Sequence, residues 1–452
     1  MAPSLDQYYA GNPLNRLSYL RSSAAFLTSA LTSPKARFLA LDNLQLLSDL
    51  PTDNDKNKHV ALLTWNDVQP FVGDAKNFFR GVDGKNDDEV ANLAVSASFA
   101  SKFGKQTVGE LTVEEKREYF INQPALVFLG VDERSAPDSA KALPLSKPDE
   151  NSTLESHSPH GQPYWALDVS ALDELKKKAV EGGKREFGEL RAGAQTIPPE
   201  EAAIAAEARA LVDWNTRNKF CPGCSRPIRS VWGGWKRACI PGQPSSSSTP
   251  ADPPCISRKG VHNFQYPRTD PVVIMAVLSP DRTQLLLGRQ KSWPAKFYSC
   301  LAGFIESGES LEEAVRREVY EEAGIVCDEV GYHASQPWPF PSSLMMGCWA
   351  VAKEGQEIRC DLDNELEDAR WFTRAQVLAV LDSSTPLQLS RDEVAKLDGK
   401  EGASKDSTTV DEEKQERGAE EPLFRMPPST AIANTLITDW ARGALFTPSH
   451  KI

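Results

Sequence analysis

The sequence predicts an α+β fold built as successive modules. Three observations carry this. Short apolar runs bounded by polar turns recur in both halves, a few helices are strongly signalled at their ends, and four of the eight cysteines cluster between the halves. A chain of 452 residues, 40% hydrophobic and 25% charged, has the composition of a globular protein with sizeable cores, and its length fits roughly two to four domains. The formal net charge of −12 argues against holding nucleic acid on a broad basic surface. A phosphate-bearing ligand would need local help from a metal or a few placed cations.

Residues 1–205 read as one mixed α/β block. "RFLALDNLQLL" (37–47), "HVALLTW" (59–65) and "PALVFLGVD" (124–132) have strand composition, and 144–163 reads as an exposed insertion. "PPEEAAIAAEARALVDWNTRN" (198–218) predicts a helix, with Pro and Glu in its first turns. A cysteine module follows at 215–266, interrupted by the Ser/Pro-rich "PGQPSSSSTPADPP" (241–254). A third module spans 267–445. It opens on "VVIMAVL" (272–278), a buried strand too short to cross a bilayer, contains a charged, apolar-poor stretch at 394–421, and ends in a helix near 429–443 with Ile432, Leu436 and Trp440 in register. The start, "MAPSLDQYYAGNPLNR", has neither the basic nor the apolar region of a secretory signal. Few cysteines and no spanning segment predict a reducing, intracellular setting without a membrane partner.

The most informative stretch is "GFIESGESLEEAVRREVYEEAGI" (303–325). Gly303 and Gly308 are expected to bound a tight turn. Ser310 with Glu313 forms a capping box, and Gly324 ends the helix so begun, giving a helix over 311–323. On a helical wheel, Glu318 and Glu322 fall within about 40° of each other, on the stripe that carries Leu311 and Val315. Glu312, Glu313, Arg316 and Tyr320 point elsewhere. Two inward carboxylates one turn apart repel unless something answers them, and a hard divalent cation does so with oxygen ligands. The competing reading is a solvated acidic helix.

"CPGC" sets Cys221 and Cys224 two residues apart, with Cys239 and Cys255 further on. Four thiolates can close a tetrahedral structural Zn²⁺ site. The second pair is split by the Ser/Pro-rich loop, which leaves His262 as a rival ligand. Cys300, Cys327, Cys348 and Cys360 are scattered and read as inert.

Gly303, Glu309, Arg317-Glu318-Val319, Glu321-Glu322 and Gly324-Ile325 together resemble a complete Nudix box. A chance match at all nine positions has a probability on the order of 10⁻⁶ for a chain this long. The resemblance implies a mixed sheet sandwiched by helices and hydrolysis of a nucleoside diphosphate linked to another group. It also implies Mg²⁺ or Mn²⁺ held by Glu318, Glu322 and the Ala302 carbonyl, Glu321 as a further catalytic carboxylate, and Arg317 with Glu309 as a brace.

"SQPWPFPSS" (335–343) follows the box, and "YPRTDPVVI" (266–274) follows the cysteines. With the cysteine module, they resemble the NADH pyrophosphatase branch of the Nudix hydrolases, related to NAD-capped RNA hydrolases. The branch implies cleavage of NADH or NAD⁺ to nicotinamide mononucleotide and AMP, and removal of NAD caps from RNA. It implies substrate contacts at Tyr266, Gln336, Pro337, Trp338, Pro339, Phe340, Pro341, Ser342, Ser343 and Ala433. A further metal ligand is expected at Glu365, along with a homodimer and a cytoplasmic or peroxisomal location. The C-terminal "TPSHKI" only loosely matches a peroxisomal signal. The three prolines are expected to hold Trp338 and Phe340 on an extended bracket. Competing readings are an ADP-ribose or dinucleoside polyphosphate hydrolase and a non-catalytic nucleotide-binding Nudix protein.

Overall fold

A computed structural model describes residues 7–73, 75, 78–79, 90–136, 160–193, 196–240, 253–383 and 423–446. The charged stretch 394–421, nearly all of the Ser/Pro-rich loop and the C-terminal hexapeptide lie outside these residues. The chain divides into two compact units. One comprises Gly11–Arg268 with Pro339–Ser342, and the other Met1–Ala10, Thr269–Trp338 and Ser343–Ile452. The cysteine module falls within the first unit.

The first unit is built on a sheet of β1 (Arg37–Asp42), β2 (Gln45–Asp49), β3 (His59–Val60), β4 (Leu62–Leu63), β5 (Leu126–Asp132), β6 (Gln162–Asp168) and β7 (Arg185–Gly188). Two apolar runs expected as single strands are broken. Asn43 and Leu44, at φ 48° and 67°, turn the first run into the β1–β2 hairpin, the positive-φ pair that tight hairpins favour. In the second, the strand ends at Leu63 and Thr64–Trp65 begins a helix, Trp65–Val72. The sheet order is β3-β2-β1-β6-β5, with β4 on β1 and β7 on β2; only β1 and β6 run parallel. Its core gathers Phe38, Phe128 and Trp165 with Phe26 and Leu27. The Pro199–Arg217 helix has Pro in its first turn and Glu200 and Glu201 there, which suits the positive N-terminal end of the helix dipole. It buries Ala202, Ala203, Ala205, Ala206 and Ala208. A small hairpin of β8 (Ile228–Val231) and β9 (Lys236–Cys239) follows.

The second unit holds β10 (Asp270–Leu278), β11 (Gln284–Gln290), β12 (Leu301–Phe304), β13 (Cys327–Trp338), β14 (Ser343–Ala352) and β15 (Leu366–Thr373). Their order is β13-β14-β10-β11-β15, with β12 on β10, and β10 and β14 are the parallel pair. The two sheets share one plan. Each first strand pairs antiparallel with its hairpin partner and with a short strand, and parallel with a strand that is itself paired antiparallel to its predecessor. Side chains of β10 alternate between two cores, as strand geometry requires. Val273, Met275 and Val277 pack with Val315 and Val319 of the Leu311–Ala323 helix. Ile274, Ala276 and Leu278 pack with Ile432, Leu436 and Trp440 of the Ile432–Ala441 helix. This is the mixed sheet sandwiched by helices that the resemblance implied.

Candidate active site

The Leu311–Ala323 helix starts and stops where its sequence dictates. Ser310 Oγ accepts from Glu313 N at 3.3 Å, Glu313 Oε2 accepts from Ser310 N at 2.7 Å, and Gly324 closes the helix at φ 68°. Glu312, Glu313, Arg316 and Tyr320 are exposed, whereas Glu322 is 3% exposed. The Glu318 side chain is 12% exposed. The inward pair predicted by the wheel is thus present, and the solvated-helix reading fails for these two residues.

Gly303 has a different role from the turn residue expected. It lies in β12 opposite Val273, and the turn belongs to Gly308 at φ 96°. A Cβ on Gly303 would sit 2.0–2.2 Å from the Glu318 carboxylate atoms, so only glycine lets that carboxylate lie against the strand.

Arg317 organises the outer carboxylates. Its Nε and Nη2 donate to Glu309 at 2.6 and 2.8 Å, its Nη1 to Glu318 at 2.8 Å and Glu321 at 3.1 Å, and its Nη2 also to the Phe304 carbonyl at 2.8 Å. The guanidinium holds the Glu309 carboxyl down at about 2. The brace implied by the resemblance is therefore in place.

Glu322 is not answered in this way. Burial first, then the charges of Glu365 and Glu318, push its carboxyl well above the ordinary range, and only the Ala302 amide, 3.2 Å away, opposes them. Burial also raises Glu318, against the pull of Arg317. Glu365 is raised by burial and by Asp363, against a 2.9 Å hydrogen bond from Gln290 Nε2. Glu322 and Glu365 line one cavity of about 100 Å³ with Gln290, Trp293, Gly288 and Ala302. Glu322 is buried, Glu318 half-buried and Glu365 exposed, and carboxylates that repel one another in this way offer oxygen donors of the kind a hard divalent cation takes. Gln290 and Trp293 were not identified from sequence. A register shift between Arg289 and Gln290, where β11 meets β15, precedes the pocket, and no residue-type pattern announces it.

The four module cysteines converge. Among the described residues, theirs is the group of His, Cys, Asp or Glu side chains whose ligand atoms all lie within 4.8 Å of one another. Sγ atoms of Cys221 and Cys255 are 3.5 Å apart, and those of Cys224 and Cys239 3.3 Å. These approach the ~3.8 Å edge of a tetrahedron with 2.3 Å metal–sulfur bonds. Although burial acts to raise the Cys224 thiol, Arg226 Nε, donating at 3.3 Å, brings it down to about 6. His262 is not a ligand here: its Nε2 faces the carbonyls of Ile256 and Lys259 at 2.9 and 2.8 Å, and its ring stacks on Phe264. Burial pushes the thiols of Cys300, Cys327 and Cys348 up to about 12, which keeps them protonated and unreactive.

The residues of "SQPWPFPSS" form a hairpin rather than an extended bracket. Gln336, Pro337 and Trp338 finish β13, opposite Met345, Leu344 and Ser343. Pro339–Ser342 is the connecting loop and groups with the first unit, as does Tyr266. The carboxylates, Gln336–Trp338, Ser343 and Ala433 belong to the second. Three expected substrate contacts are otherwise engaged. Gln336 is 1% exposed; its Nε2 donates to the carbonyls of Tyr8 and Thr430 and its Oε1 accepts from Ile432 N, each at 2.9 Å. Ser343 is buried in the sheet and Ala433 is packed in the core. Trp338 meets Tyr9 edge-on at 6.0 Å, while Tyr266 lies 5.8 Å from Trp232.

The sheet plan and the box helix define a Nudix hydrolase, and a NUDIX domain model matches residues 268–392. A model described as an NADH pyrophosphatase-like rudimentary NUDIX domain matches residues 35–214. The chain is 36% identical to a Schizosaccharomyces pombe NAD-capped RNA hydrolase, over 84% of this chain and 86% of that one. It is 33% identical to the Macaca fascicularis NAD-capped RNA hydrolase NUDT12, over 97% and 74%. The human mitochondrial NAD(P)H pyrophosphatase NUDT13 is 35% identical, over 64% and 71%. The chain belongs to the NADH pyrophosphatase and NAD-capped RNA hydrolase family of Nudix hydrolases.

Proposed function

We infer that this protein hydrolyses the pyrophosphate bond of NADH and NAD⁺, giving nicotinamide mononucleotide and AMP, and removes NAD caps from RNA. The observation that carries the chemistry is Glu322, a buried carboxylate that shares its cavity with Glu365 and is pushed up by the charges of Glu365 and Glu318. Relatives named for these activities support the choice of substrate.

Glu318, Glu322, Glu365 and the Ala302 carbonyl are the residues to hold Mg²⁺ or Mn²⁺. A bound divalent cation neutralises phosphate oxygens and lowers the pKa of a water. Glu321, exposed at the helix surface, offers a further carboxylate to orient that water. Arg317 holds Glu318 and Glu321 in fixed directions, and Gln290 does the same for Glu365. Trp338, Phe340 and Tyr266 are the rings to recognise the flat bases, where stacking is worth about 1–3 kcal/mol per ring. Cys221, Cys224, Cys239 and Cys255 hold a structural Zn²⁺. The active form is a homodimer, which light scattering of the purified protein would test.

The deciding experiment supplies NADH, ADP-ribose and a diadenosine polyphosphate in separate reactions with Mg²⁺ or Mn²⁺, and measures AMP by chromatography. NADH is expected to be cleaved with the highest kcat/KM. Preference for ADP-ribose would move the protein to the competing class, and no product from any of them would leave the non-catalytic reading. Metal analysis should find one zinc per chain, lost in Cys239→Ser.

A further inference from the structure

The Pro199–Arg217 helix lies in the region matched by the rudimentary NUDIX model, a region with no carboxylate box of its own. One of its side chains nevertheless reaches the loop expected to recognise substrate. Arg209 Nη1 donates to the Pro339 carbonyl, and its Cζ lies 4.6 Å from the centre of the Phe340 ring. The loop is held a second time within the same unit, where Ser342 Oγ donates to the Arg268 carbonyl at 3.0 Å.

The chemistry of these contacts is specific to arginine. Pro339 and Pro341 have no amide hydrogen, so Pro339–Ser342 has few ways to hold itself by backbone bonds. A guanidinium can donate to a carbonyl in its plane while its face lies over an aromatic ring. Both contacts end on adjacent residues, so together they fix the loop carbonyl and the ring direction.

We propose that Arg209 is a positioning residue for substrate recognition, holding the Pro339–Ser342 loop so that Phe340 is presented ready to stack on a base of the dinucleotide. A pre-ordered loop loses less freedom on binding, so the contribution falls on affinity rather than on the chemical step. This inference rests on the reading of Phe340 as a substrate contact given above.

The test is steady-state kinetics with NADH on the full chain for Arg209→Met, Arg209→Lys, Phe340→Ala and the Met/Ala double variant, with thermal unfolding of each. Arg209→Met keeps most of the side-chain volume but loses the charge and the donor. It should raise KM about tenfold, because a loosened loop must be ordered again each time substrate binds, with kcat within about twofold. Arg209→Lys should recover part of the loss. The double variant should be no worse than Phe340→Ala, because the two act through one contact. A wild-type KM in Arg209→Met, with a raised KM in Phe340→Ala, overturns this inference and leaves the loop assignment standing. An unchanged KM in Phe340→Ala removes the loop assignment and this inference with it. A fall in kcat alone, or effects that add in full, also overturns it. If Arg209→Met fails to fold, Arg209→Lys decides on the same readings.

Discussion

Two regions of this molecule share a strand plan, and the cavity lined by Glu322 and Glu365 lies in one of them. Between β12 and β13 the second unit places the helix that turns Glu318 and Glu322 inward. Between β4 and β5, at the matching point of the first sheet, the chain runs through several helices, of which Trp65–Val72 packs on the core of that sheet. Its inward face is apolar: Val68 is fully buried, and Trp65, Phe71 and Val72 pack on the core. Its one acid, Asp67, accepts hydrogen bonds from Thr64 N and Oγ1 at 2.9 and 2.7 Å and caps the helix. Among the described residues between β4 and β5, no Asp or Glu is buried. The same connections therefore serve packing in one unit and carboxylate chemistry in the other. Topology supplies the place, and the side chains on one helix face supply the function.

The comparison can be broken at three points. The largest effect is expected from Glu322→Gln, which should slow AMP release from NADH about 10³-fold, or ~4 kcal/mol in the barrier. The metal-free variant should unfold no more easily than wild type, because a buried charge has been removed. The sign of the pH dependence follows from the raised carboxyl. In the metal-free wild type, Glu322 binds its proton more tightly folded than unfolded. The stability it contributes is present below the ordinary carboxyl value of 4.5 and is lost as pH rises through the raised value. Denaturant unfolding of the metal-free protein, compared between wild type and Glu322→Gln across this rise, should show a gentler fall in the variant. Stabilisation of the wild type by Mg²⁺ should grow over the same range, since coordination needs the carboxylate.

The second point is Val68→Glu. It gives the first unit an inward carboxylate with no cation to answer it, and should cost about 3 kcal/mol in chemical denaturation. If the variant is as stable as wild type, the apolar face of that helix is not the constraint argued here. The smallest effect is that of Asp67→Ala, which should lower stability by about 1 kcal/mol through loss of the cap. NADH turnover should stay at the wild-type level, marking this acid as structural.

Much of the second unit was legible from local sequence. The capping box, Gly324 and the carboxylate stripe all act within one helix, where spacing alone sets direction. The cysteine set was legible by residue type, though only the fold could dismiss His262. What was missed is non-local. Gly303 reads as a turn glycine until the Glu318 carboxylate is seen against it. Gln336 reads as a polar contact for substrate until its amide is found occupied by Tyr8, Thr430 and Ile432, 94 or more positions away for the first two. Gln290 and Arg209 carry no signal of their own, because each matters only through a partner brought up by another element. Asn43–Leu44 hid a hairpin inside an apolar run, since leucine is an uncommon residue at positive φ.

The separation of Cys239 from Cys255 has a consequence for how the chain can vary. An ion shared by the four sulfurs would make the segment between those two cysteines a closed loop. Closing such a loop becomes harder only with the logarithm of its length, about 0.6 kcal/mol for each doubling. Residues can therefore be gained or lost there at little expense to the clasp. A protease cut within that segment would leave both new ends tethered, to part only when a chelator opens the sulfur cage.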